Sequence, residues 1–194
     1  MPEELHGQLT KVVFGADIFE QGVVSVPVAA YLRPVDVGLK LAGDGALAND
    51  LVLIKLASAA PASWRRVSLG APGDEPGVLR ASLYGFGDTV EDDEDYSSGR
   101  LQRLDLAAIT PRRRDLATFF TKPLDARQGS CNGDSGGALI RERKGQPPEI
   151  VGVLSANTLP CAGSTARFTD ASFFSEFIKV ASQRLGSPID IYTL

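Results

Sequence analysis

The chain has 194 residues, 43% of them apolar and 23% charged, which suffices for one substantial domain or two small ones. A net charge of −4 offers no basic face for nucleic acid, and the apolar run "GVVSVPVAAYL" is too short to span a bilayer and contains a proline. The start "MPEELHGQLTK" lacks the basic and apolar parts of a signal peptide, and two cysteines are too few to build a disulfide scaffold.

In chain order, "LTKVVFG" and "VVSVPVAAYL" read as strands, "GLKLAGDGALAN" as a loop and "LVLIKL" as a strand. "APASWRRVSLGAPGDEPG" reads as a connection between two halves, and "VLRASLYGFG" and "RLQRLDL" as further strands. Between those two strands, "EDDED" at 91–95 places like charges side by side, which favours a solvated loop over a calcium site because alternating oxygen ligands are not evident. "PRRRD" at 111–115 reads as exposed surface. "ALIRER", a turn at "GQPPE", "EIVGVLS" and "ARFTD" complete a series of short strands whose turn-rich spacing predicts a barrel or sandwich. "DASFFSEFIKVASQRLG" closes the chain as a helix: Phe173, Phe174, Phe177, Ile178, Ala181 and Leu185 recur at three- and four-residue steps, and Gly186 stops it.

The stretch "CNGDSGGALI", residues 131–140, packs small residues around Ser135. A serine hydroxyl attacks a carbonyl when a base takes its proton and donors stabilise the oxyanion. Glycine at 133 lets the backbone approach a substrate without a Cβ, so the N–H groups of Gly133 and Ser135 are candidate oxyanion donors. "GDSGG" also fits the G-x-S-x-G elbow of α/β hydrolases, but that arrangement needs an acid and then a histidine after the serine, and no histidine follows residue 6. Cys131 and Cys161 are compatible with one staple or with two free buried thiols.

Several motifs together resemble the trypsin/chymotrypsin-like serine protease family. "CNGDSGGALI" is similar to its Cys-x-Gly-Asp-Ser-Gly-Gly-Pro-Leu segment, with Ala138 in place of the proline. "NDLVLIKL" resembles its aspartate-bearing strand, "LYGFGDT" the Gly-Trp-Gly-x-Thr turn that opens the second barrel, and "LQRLDL" the strand after it. "GVLSANTLPC" and "ARFTDASFFSEFI" resemble its substrate-binding strand and closing helix. The resemblance implies an all-β double antiparallel β-barrel with a C-terminal helix and an incomplete first barrel, divided at residues 1–70 and 71–194.

It further implies a serine endopeptidase that works through an acyl-enzyme, with Ser135 as nucleophile, Asp50 as the carboxylate that orients a histidine, and Gly133 and Ser135 as oxyanion hole. Cys131 and Cys161 match the family's bridge between the nucleophile loop and the pocket wall. Gly129, Ser130, Asn132, Ser155, Asn157 and Ala166 match its substrate pocket. Gly129 stands where an aspartate would select Lys or Arg, and side chains at Asn157 and Ala166 narrow the site, so small or medium apolar residues are the expected preference. No cofactor and no metal are implied. The expected partners are a polypeptide substrate and a protein protease inhibitor, with neither nucleic acid nor membrane, in a secreted or periplasmic setting.

Two family features are absent. The only histidine, His6, lies 44 residues before Asp50, close to the family's spacing, but in "PEELHGQLT" without the apolar strand that anchors a catalytic histidine; it is expected to be a loop residue, with the base upstream of Met1, the alternative being that His6 is itself the base. No Ile-Val-Gly-Gly-like terminus is present to supply an amine to Asp134, so that carboxylate is expected to be unpaired and to relax toward water. The chain is therefore expected to be an N-terminally truncated fragment, inactive or nearly so. The alternative is a non-catalytic binding module that keeps the scaffold and has lost the base.

Overall fold

The computed structural model describes residues 10–38, 49–71, 80–89, 98–109 and 117–189. β1 (Lys11–Phe14), β2 (Val24–Leu32) and β3 (Leu53–Leu56) form an antiparallel sheet in the order β1-β2-β3. β2 changes partner along its length: residues 24–27 pair with β1 and residues 28–32 with β3. Pro27 sits at that handover, beside a register shift between Val28 and Ala30, where a missing N–H is tolerated.

The second sheet closes on itself. β5 (Arg80–Gly85), β6 (Gln102–Ala108), β7 (Thr118–Pro123), β8 (Ala138–Arg141), β9 (Glu149–Asn157) and β10 (Ala166–Asp170) run in the order β10-β7-β6-β5-β8-β9, and β9 pairs back with β10. The result is a six-stranded antiparallel barrel without a free edge. The short β4 (Ser68–Leu69) lies parallel against the start of β9. Alternation sends Leu83, Leu106, Phe119, Leu139, Val151, Leu154 and Phe168 inward to a single core, with the Phe119 and Phe168 rings stacked at 5.7 Å. Gly152 leaves room there for the Phe119 ring, since a Cβ would stand 2.9 Å from it. The fold is thus the all-β double-barrel type, with three strands of the first barrel among the described residues.

The closing helix starts with a tight turn. Residues Ala171–Phe174 are 3₁₀, and the α-helix α1 runs over Ser175–Arg184. Asp170 caps the turn by accepting from the Ser172 and Phe173 N–H groups, and Gly186, at φ +66°, ends the helix. Phe174, Phe177 and Ala181 pack with Val37 and Ala117, joined by the partly buried Leu32, Leu51 and Leu53. That cluster ties the first sheet to the end of the barrel. Strand β7 was not anticipated from the sequence, because "TFFTKP" begins three residues after the charged "PRRRD" segment ends and is too short to show a period. The segments "GLKLAGDGALAN" (apart from its ends), "EDDED" and "PRRRD", and His6, lie outside the described residues.

Candidate active site

The segment between Cys131 and Ala138 turns sharply, and it can do so because Gly133 (φ +87°) and Gly136 (φ +84°) occupy the left-handed region. Between them the chain points Asp134 inward and Ser135 outward: Asp134 is 9% exposed, and Ser135 lies open to solvent. The neighbouring amides are used up. Asp134 N–H donates to the Cys131 carbonyl at 3.2 Å, Gly136 N–H to Leu154 at 2.8 Å and Gly137 N–H to Asp134 at 2.8 Å. The N–H groups of Gly133 and Ser135 donate to no group among the described residues. They are the two proposed from the sequence as oxyanion donors.

Asp134 corrects an expectation. Its carboxylate has no ion-pair partner among the described residues, yet it is not turned to water: Oδ1 accepts from the Gly87 N–H and Oδ2 from the Cys131 N–H, each at 2.9 Å. Two backbone donors replace the solvent that burial removes. The cradle also explains the glycines of "LYGFGDT". A Cβ at Gly85 would collide with the Asp134 carboxylate, and one at Gly87 would come within 2.6 Å of Oδ1. Asp134 also lines a cavity of about 400 Å³ bounded by Gly85, Gly87, Gly129 and Cys161.

Cys131 and Cys161 form a disulfide with Cα atoms 5.0 Å apart, closing a separation of 30 residues. The two-thiol alternative is thereby set aside. The bridge joins the nucleophile loop to the segment after β9, and both cysteines are buried.

Asp50 stands just before β3, on the side of the first sheet that faces the barrel. Ser155 Oγ donates to Asp50 Oδ2 at 2.5 Å, and Thr169 Oγ1 donates to the Asp50 carbonyl at 3.0 Å. β9 therefore holds both halves of the site on adjacent residues: Leu154 anchors Gly136 and Gly137 of the nucleophile loop, and Ser155 anchors Asp50. Both Asp50 and Ser135 are exposed.

The pocket residues fall on neighbouring elements. Ala166 pairs with Asn157 across β10 and β9, and Ala166 is almost fully buried. Asn157 turns its amide to the Thr158 carbonyl at 3.2 Å. Gly129 lies so close to the Cys161 carbonyl that a Cβ would overlap it. Ser130 and Ser164 are buried with hydroxyls 3.4 Å apart. Asn132 is exposed, and its carbonyl accepts from the Asp88 N–H at 2.8 Å. Thr169, Ser164 and Arg167, which donates from Nη2 to Ser155 Oγ at 2.8 Å, were not singled out from the sequence. A charged residue inside the otherwise inward-packed strand "ARFTD" was the available signal for Arg167.

Known proteins share this fold and parts of this sequence. Lectizyme of Glossina austeni is 33% identical over 109 residues, covering 50% of this chain and 38% of that protein. Human kallikrein-7 is 31% identical over 125 residues, covering 58% of this chain and 46% of that protein. The chain thus spans less than half the length of these curated relatives. Among solved structures, human heparin binding protein superposes with a TM-score of 0.70 at 20% identity, covering 93% of this chain and 78% of that one. Neuropsin, a serine protease of mouse brain, gives 0.68 at 17% identity, covering 89% and 79%. The trypsin family model matches residues 10–178, and with the barrel, the bridged "GDSGG" loop and its carboxylate in place, this chain belongs to the trypsin family.

Proposed function

We propose that the protein is a serine endopeptidase in which Ser135 is the nucleophile and Asp50 the carboxylate that orients a histidine. The observation that carries this reading is the attachment of the nucleophile loop and Asp50 to consecutive residues of β9, Leu154 and Ser155. An imidazole between them takes the Ser135 proton as Oγ bonds to the scissile carbonyl carbon, and the carbonyl electron pair moves onto oxygen. The free N–H groups of Gly133 and Ser135 receive that oxyanion. Collapse expels the amine, which takes the proton from the imidazolium, and water releases the acyl group by the same steps.

Gly129 brings no negative charge to the pocket, and Ala166 with Asn157 reduces its width, which supports small or medium apolar side chains over Lys or Arg. The polypeptide substrate, and an inhibitor that mimics it, would pair with the segment of β9 beyond Leu154. The Cys131–Cys161 bridge supports an oxidising compartment, secreted or periplasmic. His6, the one histidine of the sequence, does not follow an anchoring apolar strand.

The second reading, a non-catalytic binding module, is favoured by that same lack of a well-anchored histidine. Heparin binding protein shares the fold, but a net charge of −4 does not suit a polyanionic ligand here. A fluorophosphonate probe with the full-length protein separates the readings. Labelling of Ser135, lost in Ser135→Ala, together with hydrolysis of a peptide ester, supports the peptidase. A folded full-length protein that is neither labelled nor active overturns it in favour of the binding module.

A further inference from the structure

We propose that Arg167 is a positioning residue for Asp50, acting through Ser155. This inference rests on the peptidase reading for its catalytic consequence, though not for its chain of bonds. An arginine side chain carries only donors, whereas a serine hydroxyl has one hydrogen and two acceptor sites. Arg167 Nη2 donates to Ser155 Oγ at 2.8 Å, so that oxygen is an acceptor on this side. Its single hydrogen is then left for Asp50 Oδ2, at 2.5 Å. The guanidinium thus removes the rotational choice of the hydroxyl, and the hydroxyl in turn pins one carboxylate oxygen, leaving the other to an imidazole.

The surrounding charges leave Arg167 as the cation for this task. Lys55 on β3 turns its ammonium to Ser187. Glu149 at the far end of β9 is held by Arg141 and Arg143, and Asp170 at the end of β10 caps the C-terminal turn. Arg167 makes no ion pair among the described residues, and its Nε is buried without a hydrogen-bond partner. The strand supports this placement: Arg167 lies opposite Ala156, and the register between β9 and β10 slips between Arg167 and Phe168, beside Ser155. A small side chain at 156 and a bulge at 155 leave space for the guanidinium to reach the hydroxyl.

The test uses the full-length protein and two readouts. Steady-state kinetics on a peptide ester should show kcat reduced roughly tenfold in Arg167→Met with KM unchanged, as expected when a catalytic group is slightly misplaced. Arg167→Lys, which keeps a donor cation, should recover most of the rate. In a Ser155→Ala background, Arg167→Met should cause no further loss. A tenfold loss that persists in that background overturns the proposal, as does an unchanged kcat in Arg167→Met. The second readout is thermal unfolding of the wild type, Arg167→Met, Ser155→Ala and the double variant, in which the two substitutions should be non-additive; additive shifts overturn the chain of bonds even if no member of the set turns over substrate. A wild-type protein without activity but with non-additive unfolding would remove the peptidase reading and leave the Arg167–Ser155–Asp50 arrangement standing.

Discussion

The two sheets are built from similar short alternating segments, yet they bury their residues very differently. In the six-stranded barrel, β9 meets β10 and every inward residue finds a partner, so Leu139, Val151 and Phe168 have no exposed surface. In the three-stranded sheet, Val26 is the residue of β1 to β3 that is buried, at 5% exposure, and Val24 remains 48% exposed. Closure, and not local composition, decides how much apolar area a strand removes from water. The site reflects the same asymmetry. Asp50 stands just before β3 of the three-stranded sheet, yet its bonds come from Ser155 and Thr169 of the closed barrel.

The largest test of this contrast is a pair of core truncations. Phe168→Ala should lower unfolding free energy by about 3–5 kcal/mol, as buried aromatic truncations do. Val24→Ala, on the open sheet, should cost less than about 1 kcal/mol. Urea unfolding of both variants checks the difference, and equal losses would break the comparison. Next, replacing both Cys131 and Cys161 by serine should cost about 3–4 kcal/mol by the chain-entropy argument for a loop of this length. The same urea titration reads that loss.

A third test concerns the Asp134 cradle. Gly85→Ala forces a Cβ into the Asp134 carboxylate, so the loop that carries the Gly133 and Ser135 N–H groups must shift. Loss of an oxyanion donor costs roughly 10²–10³ in kcat, and ester hydrolysis by the full-length variant should fall within about that range. A Gly85→Ala protein with unchanged kcat would show that the cradle does not govern the loop.

The smallest effect is one of pH. Burial opposes the charge of Glu149, but the bonds and charges of Arg141, at 2.7 Å, and Arg143, at 3.0 Å, outweigh it and hold its carboxyl below the usual glutamate range. A carboxyl whose folded value is depressed contributes stability above its unfolded value, and that contribution disappears as pH falls through the folded one. Thermal unfolding of the wild type should therefore weaken below about pH 4.5 more than that of Glu149→Gln. Parallel curves for the two proteins would remove the argument.

Much of the candidate site was legible in the sequence because it is local. Small residues crowd Ser135 in "CNGDSGG", and the chain turns there with Gly133 and Gly136 at positive φ and Ser135 exposed, although Asp134, expected to relax toward water, is held inward. The strand in "LVLIKL" follows from its short run of Val, Leu and Ile, and the helix from Ser175 from apolar residues recurring at three- and four-residue steps. "TFFTKP" did not, since six residues between a charged run and a proline carry too little periodicity to separate a strand from a loop.

What the chain by itself determined is the alternation of its strands, the capped helix and the geometry of the serine loop, each set by steric limits within a few residues. Only the tertiary structure decided that Asp134 meets an amide 47 residues away, that Gly85 and Gly87 exist to admit it, and that Arg167 reaches Ser155. Those outcomes depend on barrel closure bringing distant backbone together, and a hydrogen bond to a remote N–H leaves no mark in the local order of residues.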